Sequence, residues 1–425
     1  MSDYRISLNV IPNDWKICRF KFCYNSKKEI VGDKFPLYDR LALTLNGVIK
    51  RSKNDDKGLQ PKDFKTYQIL RKNDMVFKMI DLQNMSTSRV GRTLWDGIVS
   101  PAYLRFEPLY KDPGFMYFYF MSLYYNNVFN NIAGDEVRSA LNAFDIGNIY
   151  CAFPPLSIQN RIVETLSTKI GKIDELIANE DKQIEKLEEY KKALITKAVT
   201  KGLDSNAKMK DSGVEWIGEI PEKWKLLKVK FLSTSIDKGN GITKDQVFDD
   251  GDIQCIRYGE IYTRYNNSFE KTFSRTKIAD ITSPVYLNYG DILCAGTGEL
   301  VEEIGKNVVY MGTEPCVVGG DIIIVRHKIN PIFFNYALNC QASQFQKSYG
   351  KAKLKVVHVS AFDIANVMIA LPSMNEQQQI ADYLDNKSEK INRIKEIKKS
   401  KIEKLQAYKK SLIYEYVTGK KEVAL

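Results

Sequence analysis

The chain has 425 residues, 44% of them hydrophobic, which is enough to bury two separate cores. Its 63 lysines and arginines exceed its 52 aspartates and glutamates, and the net charge of +11 suits a polyanionic partner, although many basic proteins bind no nucleic acid. No apolar run approaches the ~18 residues that cross a bilayer, and no secretory signal is visible. Seven scattered cysteines and two histidines argue against a zinc site or a disulfide framework, and for a reducing cytoplasm.

The first segment, residues 1–153, combines Tyr, Phe, Val and Ile with Asn, Asp and Gly, which is typical of strands joined by turns. Gly114–Asn127 has aromatic and aliphatic residues at helical spacing and predicts a short helix. Pro154-Pro155 marks the end of the strand-rich region. A long helix is then predicted from Ser157 to about Thr200, within a spacer of residues 154–204.

Apolar residues in this long helix form a heptad seam, which Glu180 and Lys191 interrupt. The seam residues are Leu166, Ile170, Ile173, Ile177, Ile184, Leu187, Leu194 and Ala198. An ordinary amphipathic helix on a globular core is the alternative. A helix of about 44 residues would be ~66 Å long, longer than a compact domain of this size is wide, so we expect it to pair with another helix.

The second half of the chain has the same order of segments. A linker over 205–221 leads to a second segment, 222–371, with strands predicted at Tyr286–Leu293 and Gly320–Arg326. Short helical structure is predicted over Pro331–Ser348. Pro372 marks the start of a second long helical region, 372–425. Each globular segment is therefore predicted to be α+β, with a twisted and largely antiparallel sheet.

The two halves are a tandem repeat. Ile184–Thr200 recurs as Ile402–Thr418, with 11 of 17 positions identical at an offset of 218. The same offset aligns Ala143–Asn148 with Ala361–Asn366. Near the start of each half, Ile11-Pro-Asn-Asp-Trp-Lys matches Ile220-Pro-Glu-Lys-Trp-Lys at an offset of 209. A period this long indicates a duplicated pair of domains.

The charges of the two long helices favour pairing with each other. Lys169–Lys192 carries six basic and seven acidic side chains, whereas Lys387–Lys410 carries ten basic and three acidic ones. The alternative is that the second window is only a solvated basic face. An antiparallel pair would act as a spacer that separates two globular domains related by an approximate two-fold axis.

Two nucleic-acid-reading domains on such a spacer predict a split target, with recognised parts about one helical turn, ~34 Å, apart. Because the two globular segments differ strongly in sequence, the two parts of the target should differ, making the target bipartite and asymmetric.

This arrangement resembles the specificity subunit of type I restriction–modification systems over nearly the whole chain. The segments that carry the resemblance are Trp216–Trp224, Pro154–Thr200 with its Lys201–Asp204 tail, Leu371–Thr418, and more loosely Leu43–Arg51, Arg257–Arg264 and Gly290–Leu293. The first repeat opens differently, with Asn9-Val-Ile-Pro-Asn-Asp-Trp15, which leaves the N-terminal edge of the first domain uncertain.

The resemblance implies two target-recognition domains, 1–153 and 222–371, on a scaffold for two methyltransferase subunits and for restriction subunits. It also implies that double-stranded DNA is the ligand, and that S-adenosylmethionine, ATP and Mg²⁺ belong to the partner subunits. The chain itself is expected to be non-catalytic: it has neither an Asn/Asp-Pro-Pro-Tyr/Phe motif nor a phosphate loop.

Base reading needs side chains that hydrogen-bond to groove edges, and cations hold the phosphates. Polar and basic residues near Ser, Thr and Asn are the candidates, although any one of them could be an ordinary surface charge. In the first domain they are Asn46, Lys50, Arg51, Lys53, Arg71, Lys72, Arg89 and Arg92. In the second domain they are Lys238, Asn240, Lys244, Arg257, Tyr258, Arg264, Tyr265, Lys351 and Lys353.

The repeated Tyr-Lys-Lys of the long helices supplies four candidates for binding partner subunits: Tyr190, Lys191, Tyr408 and Lys409. Packing of both tyrosines inside the coil is an equally good interpretation. Two other functions stay open at this stage. An unrecognised nuclease or methyltransferase would act without partners, and a plain coiled-coil scaffold would bind any duplex equally, with affinity that collapses as salt rises.

Overall fold

The computed structural model describes residues 11–45, 47–55, 63–82, 88–109, 113–134, 140–351 and 357–423. The chain folds into two compact units. The first comprises Met1–Glu180 and Lys399–Leu425, and the second comprises Asp181–Lys398. Each unit contains a mixed domain of strands and short helices together with parts of both long helices, so the predicted α+β class is confirmed.

Within its described residues, the first unit contains ten strands in three small sheets. The strands are β1 Lys16–Arg19, β2 Tyr24–Asn25, β3 Arg40–Thr44, β4 Gly47–Arg51, β5 Gln68–Leu70, β6 Met75–Phe77, β7 Val90–Arg92, β8 Gly97–Val99, β9 Leu104–Pro108 and β10 Tyr150–Phe153. The sheet orders are β1-β10, β2-β9-β6-β7 and β4-β3-β8-β5. All pairs are antiparallel except β3 with β8.

Three short helices and a long one complete this part of the chain: α1 Gly114–Tyr125, α2 Val128–Ala133, α3 Ala143–Gly147 and α4 Leu156–Lys201. The largest core of the unit is aromatic: the Phe20 and Phe77 ring centroids lie 6.2 Å apart, and each lies within 5.4 Å of those of Phe106 and Phe120. Such a core supplies much of the driving force for folding, because each ring removes a large apolar area from water.

The described residues of the second unit contain fourteen strands. They are β11 Met209–Asp211, β12 Glu219–Pro221, β13 Lys225–Lys228, β14 Ser233–Lys238, β15 Ile253–Ile256, β16 Ser268–Phe269, β17 Ser274–Thr276, β18 Ile292–Ala295, β19 Thr297–Gly298, β20 Asn307–Tyr310, β21 Cys316–Val318, β22 Ile322–His327, β23 Val357–His358 and β24 Met368–Leu371. Its largest sheet has the order β14-β22-β18-β20-β16. A second sheet, β17-β15-β21, lines up three shorter strands.

The helices that follow are α5 Val229–Leu232, α6 Tyr258–Thr263, α7 Pro331–Asn339, α8 Gln341–Ser348, α9 Ala361–Asn366 and the second long helix, α10 Met374–Val417. The strands β18 and β22 are buried along Ile292–Ala295 and Ile322–Val325. Continuous apolar runs of this kind are expected where both faces of a strand are covered.

Most elements predicted from the sequence are present, with two differences. The helical region predicted over Pro331–Ser348 is two helices, because Cys340 has an extended backbone and caps both. The strand predicted at Tyr286–Leu293 is wrong over most of its length. Gly290 has a φ of +87° and the Asn288 N–H donates to the Asp291 carboxylate, so a turn precedes β18.

Residues 205–221, predicted to be a linker, form the antiparallel pair β11-β12. Ile217 and Ile220 of this segment are buried in a core that also includes Trp224, Phe333 and residues from both long helices. The segment is therefore packed against the second domain along part of its length.

In the first unit, the beginning of α4 pairs with the end of α10. The Lys169 ammonium donates to the Tyr416 hydroxyl at 3.0 Å, and Lys409 lies 2.6 Å from the Asp174 carboxylate. Lys401 lies 2.6 Å from Glu180, which is buried. The residue numbers rise along one helix as they fall along the other, so the pairing is antiparallel.

In the second unit, the end of α4 pairs with the beginning of α10 in the same sense. Lys398 donates to the Gln183 side chain at 2.5 Å, Lys395 forms an ion pair with Glu188, and Lys191 donates to Asn392 at 3.0 Å. The predicted antiparallel coiled coil is confirmed. The ion pairs also match the predicted charge pattern, because each joins a carboxylate of α4 to a lysine of α10.

The two positions that interrupt the heptad seam of α4 are both met by polar side chains. Glu180 faces Lys401, and Lys191 faces Asn392. Polar groups inside a helix pair cost free energy unless they are matched, and they therefore favour one register over others.

Both long helices end in the same way, at a glycine with positive φ. Gly202 has a φ of +77° and Gly419 a φ of +73°. A Cβ added at Gly202 would lie 3.1 Å from the Trp224 ring, and one added at Gly419 would meet Pro12 and the Trp15 ring. The Pro and Trp residues are those of the repeated Ile-Pro-x-x-Trp-Lys, so the sequence repeat is also a structural repeat.

Replacing Gly202 by Ala should lower the free energy of unfolding by about 1–2 kcal/mol, because the left-handed backbone is unfavourable for alanine and the new methyl group would press on Trp224. Gly171 is the matched control, because it lies inside α4 with nothing within 4 Å of an added Cβ. Gly171→Ala should stabilise the chain by about 0.5–1 kcal/mol. Denaturant unfolding measures both, and equal effects would contradict this account of the helix end.

One lysine of the second unit is almost completely buried. Lys347, on α8, donates from Nζ to the Gly305 carbonyl at 2.7 Å and lies near the Asn307 side chain. Removal from water penalises the charged form, and burial lowers the pKa of Lys347 to about 8. The unfolded chain would titrate this lysine near its ordinary pKa of 10.5.

The unfolded chain therefore binds one more proton than the folded chain between pH 8 and 10.5, so the free energy of unfolding should rise with pH across this window. The gain should be at most about 3 kcal/mol, and below pH 8 the full penalty for the buried charge remains. Lys347→Met should remove this rise, whereas Lys328→Met, at an exposed lysine, should leave it unchanged. Denaturant unfolding at pH 7, 9 and 10.5 tests the prediction, which fails if Lys347→Met keeps the same pH dependence.

All seven cysteines are free thiols, and Cys18 is the one that is partly exposed. Burial raises the pKa of Cys151 and Cys316, which suppresses their reactive thiolate forms. Among the described residues, no helix combines the length and apolar character that crossing a bilayer requires.

Candidate nucleic-acid interface

The second unit contains a polar cleft of about 950 Å³, lined by six of the residues predicted to contact nucleic acid. These six are Lys238, Asn240, Lys244, Arg257, Tyr258 and Arg264. They come from two separate parts of the sequence: the end of β14 with the loop after it, and α6 with the residues that flank it on either side. The fold therefore brings together residues that the sequence could only group by chemistry.

The floor of the cleft is made of backbone. A Cβ added at Gly239 would collide with the carbonyl of Gly319, and one at Gly320 would lie 3.3 Å from Gly241. The Asn240 N–H donates to the Val318 carbonyl at 3.0 Å, which ties the two glycine segments together. Glycine is required here because two backbone segments approach each other more closely than side chains would allow.

Asn240 fixes the loop and is not a free reading group. Its side-chain amide nitrogen donates to the Thr282 and Ser283 carbonyls, at 3.0 Å for Ser283. Ser283 has a φ of +55°, so these bonds stabilise a backbone that serine rarely adopts. Asn240 thereby sets the position of the cleft wall.

Arg257 is the strongest candidate for direct recognition. Its Nε is buried and has no hydrogen-bond partner among the described residues, although the side chain lines the cleft. Its backbone N–H donates to Glu260, whose other carboxylate oxygen accepts from Ser274 at 2.6 Å. Glu260 and Ser274 thus hold the backbone at Arg257, and the guanidinium keeps hydrogen-bonding capacity for a ligand. Arginine suits paired acceptors such as guanine or phosphate oxygens.

Three lysine and arginine side chains around Arg257 supply positive charge to the cleft. Lys238 and Lys244 are exposed, and the Arg264 guanidinium lies 5.4 Å from the centre of the exposed Phe273 ring. Tyr258 is exposed at the first position of α6. Cations with an aromatic side chain next to them are a common surface for nucleic-acid backbone and bases.

Three other predicted residues of the second domain do not join this cleft. Tyr265 is buried against Phe269 and its hydroxyl accepts from the Phe273 N–H, so predicting it as a contact was wrong. Lys351 lies 3.1 Å from the Asp363 carboxylate. Lys353 lies outside the described residues.

The predicted residues of the first domain are largely held by their own neighbours. Lys50, on the edge strand β4, lies 2.7 Å from the Asp39 carboxylate, and their hydrogen bond lowers the pKa of Asp39. Arg51 lies 2.7 Å from Asp55, and Lys53 donates to the Phe35 and Pro36 carbonyls. A ligand would have to compete with these contacts.

Arg71 contacts Glu29 at 3.0 Å and lies 5.9 Å from the centre of the Tyr38 ring. Lys72 is exposed on the turn that follows Arg71, and Arg92 is half-buried at the end of β7. Asn46 lies outside the described residues. The side chains of Lys72 and Arg92 form no ion pair or hydrogen bond with the described residues, although the Lys72 backbone N–H donates to the Asp96 carboxylate at 2.8 Å.

Predicting Arg89 as a DNA contact was wrong. Its side chain is 1% exposed and donates to the Ile80 and Asp81 carbonyls, at 3.1 and 2.5 Å. Burial lowers the pKa of Arg89, as expected for a cation removed from water. Its role is to hold the backbone after β6, where Asp81 has a φ of +53°.

The four residues predicted to bind partner subunits separate into two kinds. Tyr190 and Tyr408 are 55% and 52% exposed, so the alternative in which they pack inside the coil is wrong for this structure. Lys191 and Lys409 instead reach across to Asn392 and Asp174 of the other helix. Within each Tyr-Lys pair, the tyrosine is thus available to a partner and the lysine stabilises the coil.

Reasoning from sequence missed the glycines of the cleft floor and Glu260. Gly239-Asn-Gly241 and Gly319-Gly320 were visible as glycine-rich strings, but only the fold shows that they face each other. Glu260 could have been recognised as the third residue of α6, where a carboxylate caps the helix.

Comparison with known proteins gives a consistent result. Residues 221–404 match the family model described as the type I restriction modification DNA specificity domain. The chain is 27% identical over 290 residues to the type I restriction enzyme MjaVIII specificity subunit of Methanocaldococcus jannaschii, covering 65% of this chain and 63% of that protein. The matched region thus spans somewhat less than two thirds of the relative.

A solved structure has the same fold over almost the whole chain. It is a chain from work on the complex assembly and conformational transition of the type I R-M system, with a TM-score of 0.68 and 14% sequence identity, covering 96% of this chain and 98% of that one. The fold and the cleft define a two-domain protein with a helical spacer. The chain is therefore similar in sequence to type I restriction enzyme specificity subunits and similar in fold to a chain of a type I R-M system, in agreement with the resemblance stated above.

Arg257→Ala should weaken binding to the cognate duplex by about 10- to 100-fold, because one bidentate arginine contact contributes about 1–3 kcal/mol of discrimination. Lys328→Ala, at an exposed lysine that does not line the cleft, is the control and should change affinity less than threefold. Fluorescence anisotropy at fixed salt measures both, with a scrambled duplex alongside. Equal losses on cognate and scrambled DNA would mean that Arg257 contacts phosphate and does not read bases.

Proposed function

We propose that this chain recognises a bipartite, asymmetric DNA sequence and directs the other subunits of a type I restriction–modification complex to it. The observation that carries this proposal is the cleft of the second unit, where Arg257, Lys238, Lys244 and Arg264 converge on a glycine floor. The first domain supplies a second, different set of polar and basic residues. Two unlike reading surfaces on one chain favour a target with two unlike halves.

The partners we propose are double-stranded DNA, two methyltransferase subunits and restriction subunits. S-adenosylmethionine, ATP and Mg²⁺ would then be bound by those subunits, and the present chain would contribute recognition without chemistry of its own. The exposed Tyr190 and Tyr408 remain candidates for the contact with partner subunits.

Mapping methylated bases in cells that carry the whole system tests the proposal. The expected result is a two-part motif with different halves separated by unspecified bases. Arg257→Ala should relax the requirement at bases of one half while leaving the other half strict, because the first domain is unchanged. A single continuous motif, or relaxation of both halves together, would contradict the assignment of one domain to each half.

A further inference from the structure

Four phenylalanines lie exposed at equivalent positions of the two repeats. Phe22 and Phe231 correspond at the offset of 209, and Phe144 and Phe362 correspond at the offset of 218. They are 63%, 69%, 73% and 76% exposed respectively. A single exposed phenylalanine is ordinary, but the same pair exposed in both copies of a diverged repeat is not.

In the first unit, the two rings belong to one patch. The Lys21 ammonium lies 5.7 Å from the centre of the Phe22 ring and 6.0 Å from that of Phe144. Phe144 lies on α3, whose last residue, Gly147, would place an added Cβ 3.3 Å from the Lys21 side chain. We call Lys16, Arg19, Lys21, Phe22 and Phe144 the first aromatic patch.

In the second unit, the same framework recurs. The Lys230 ammonium lies 5.0 Å from the centre of the Phe231 ring, and α5, which carries Phe231, packs against α9, which carries Phe362. The equivalent residues Lys225, Lys228, Lys230, Phe231 and Phe362 form the second aromatic patch.

An equivalent hydrogen bond is present next to each patch. Arg19 donates to the Asn148 side chain at 3.2 Å, and Lys228 donates to the Asn366 side chain at 3.1 Å. The pair β1-β10 corresponds to β13-β24, and both α3 and α9 begin with a capping box. The two patches are therefore held in the same local geometry, although the rest of the two domains has diverged.

Residues that read DNA should differ between domains that recognise different sequences. A surface that is the same in both domains should therefore contact a partner that is the same at both domains. An exposed phenylalanine leaves a large apolar ring in water, and aromatic side chains are enriched in the centres of protein interfaces. Positions flanking the rings are basic in both repeats, with Lys16, Arg19 and Lys21 matched by Lys225, Lys228 and Lys230. A partner that complements these patches would have an apolar depression for the rings and acidic residues around it for the lysines and arginine.

We propose that each aromatic patch docks one copy of the same partner protein, so that the chain binds two copies through equivalent surfaces. The inference rests on the proposed function, in which the duplicated partner is the methyltransferase subunit. These surfaces are distinct from the exposed Tyr190 and Tyr408 on the long helices.

The test uses the full chain co-purified with its cognate methyltransferase subunit, with stoichiometry read by native mass spectrometry. The variant F22A/F144A should bind one copy, F231A/F362A one copy, and the quadruple variant none, with affinity lost at least tenfold at each altered patch. The control is L37A/Y289A, which removes one exposed apolar side chain per unit outside the repeated positions and should retain two copies. Thermal unfolding of the variants alone should match the unaltered chain, because the removed rings are exposed.

Retention of two copies by the quadruple variant would overturn the inference and leave the proposed function intact. Full methyltransferase binding together with weaker binding to every duplex would assign the patches to DNA and would also overturn it. If the unaltered chain binds no methyltransferase subunit, the proposed function fails, and the inference fails with it.

Discussion

The structure depends on the pairing of two long helices that carry opposite charge. The first helix supplies the carboxylates Asp174, Glu180 and Glu188, and the second supplies the lysines that meet them. The second helix could not pair well with a copy of itself, because ten basic side chains against three acidic ones over Lys387–Lys410 would bring like charges together. The difference in charge between the two repeated helices therefore favours their pairing with each other.

Each unit combines elements that are equivalent in both repeats, called the constant part, with elements that differ between the repeats, called the variable part. The constant part consists of a strand pair, a short capped helix, a glycine at the end of a long helix and the tryptophan that packs on it. The variable part consists of the other described strands, which form two sheets in the first unit and four in the second. Such a division lets reading surfaces change while the attachment of each domain to the helices stays the same.

Much of this organisation follows from sequence because it repeats. The long helices, the tandem duplication and the antiparallel pairing were all predictable from periodicity, charge and matching strings. Strand order was not, because short strands such as β15 and β21 pair across about sixty residues with no local signal.

The site could be predicted only in part, for a physical reason. Basic residues are easy to find, but whether a guanidinium faces a ligand depends on what else accepts its hydrogen bonds. Arg89 and Arg257 look alike in sequence, but Arg89 is 1% exposed and donates to two backbone carbonyls, whereas Arg257 is partly exposed and lines the cleft. Tyr258 and Tyr265 diverge in the same way, one exposed on a helix and the other buried against Phe269.

The distribution of thiols has a practical consequence. Cys18 is the partly exposed cysteine and lies on β1 between Lys16 and Arg19, whereas the other six are buried. A maleimide fluorophore should therefore attach at one known place without any engineered cysteine. That label would lie on the strand that carries Lys16 and Arg19 of the first aromatic patch, and its fluorescence would report binding of a partner near this strand.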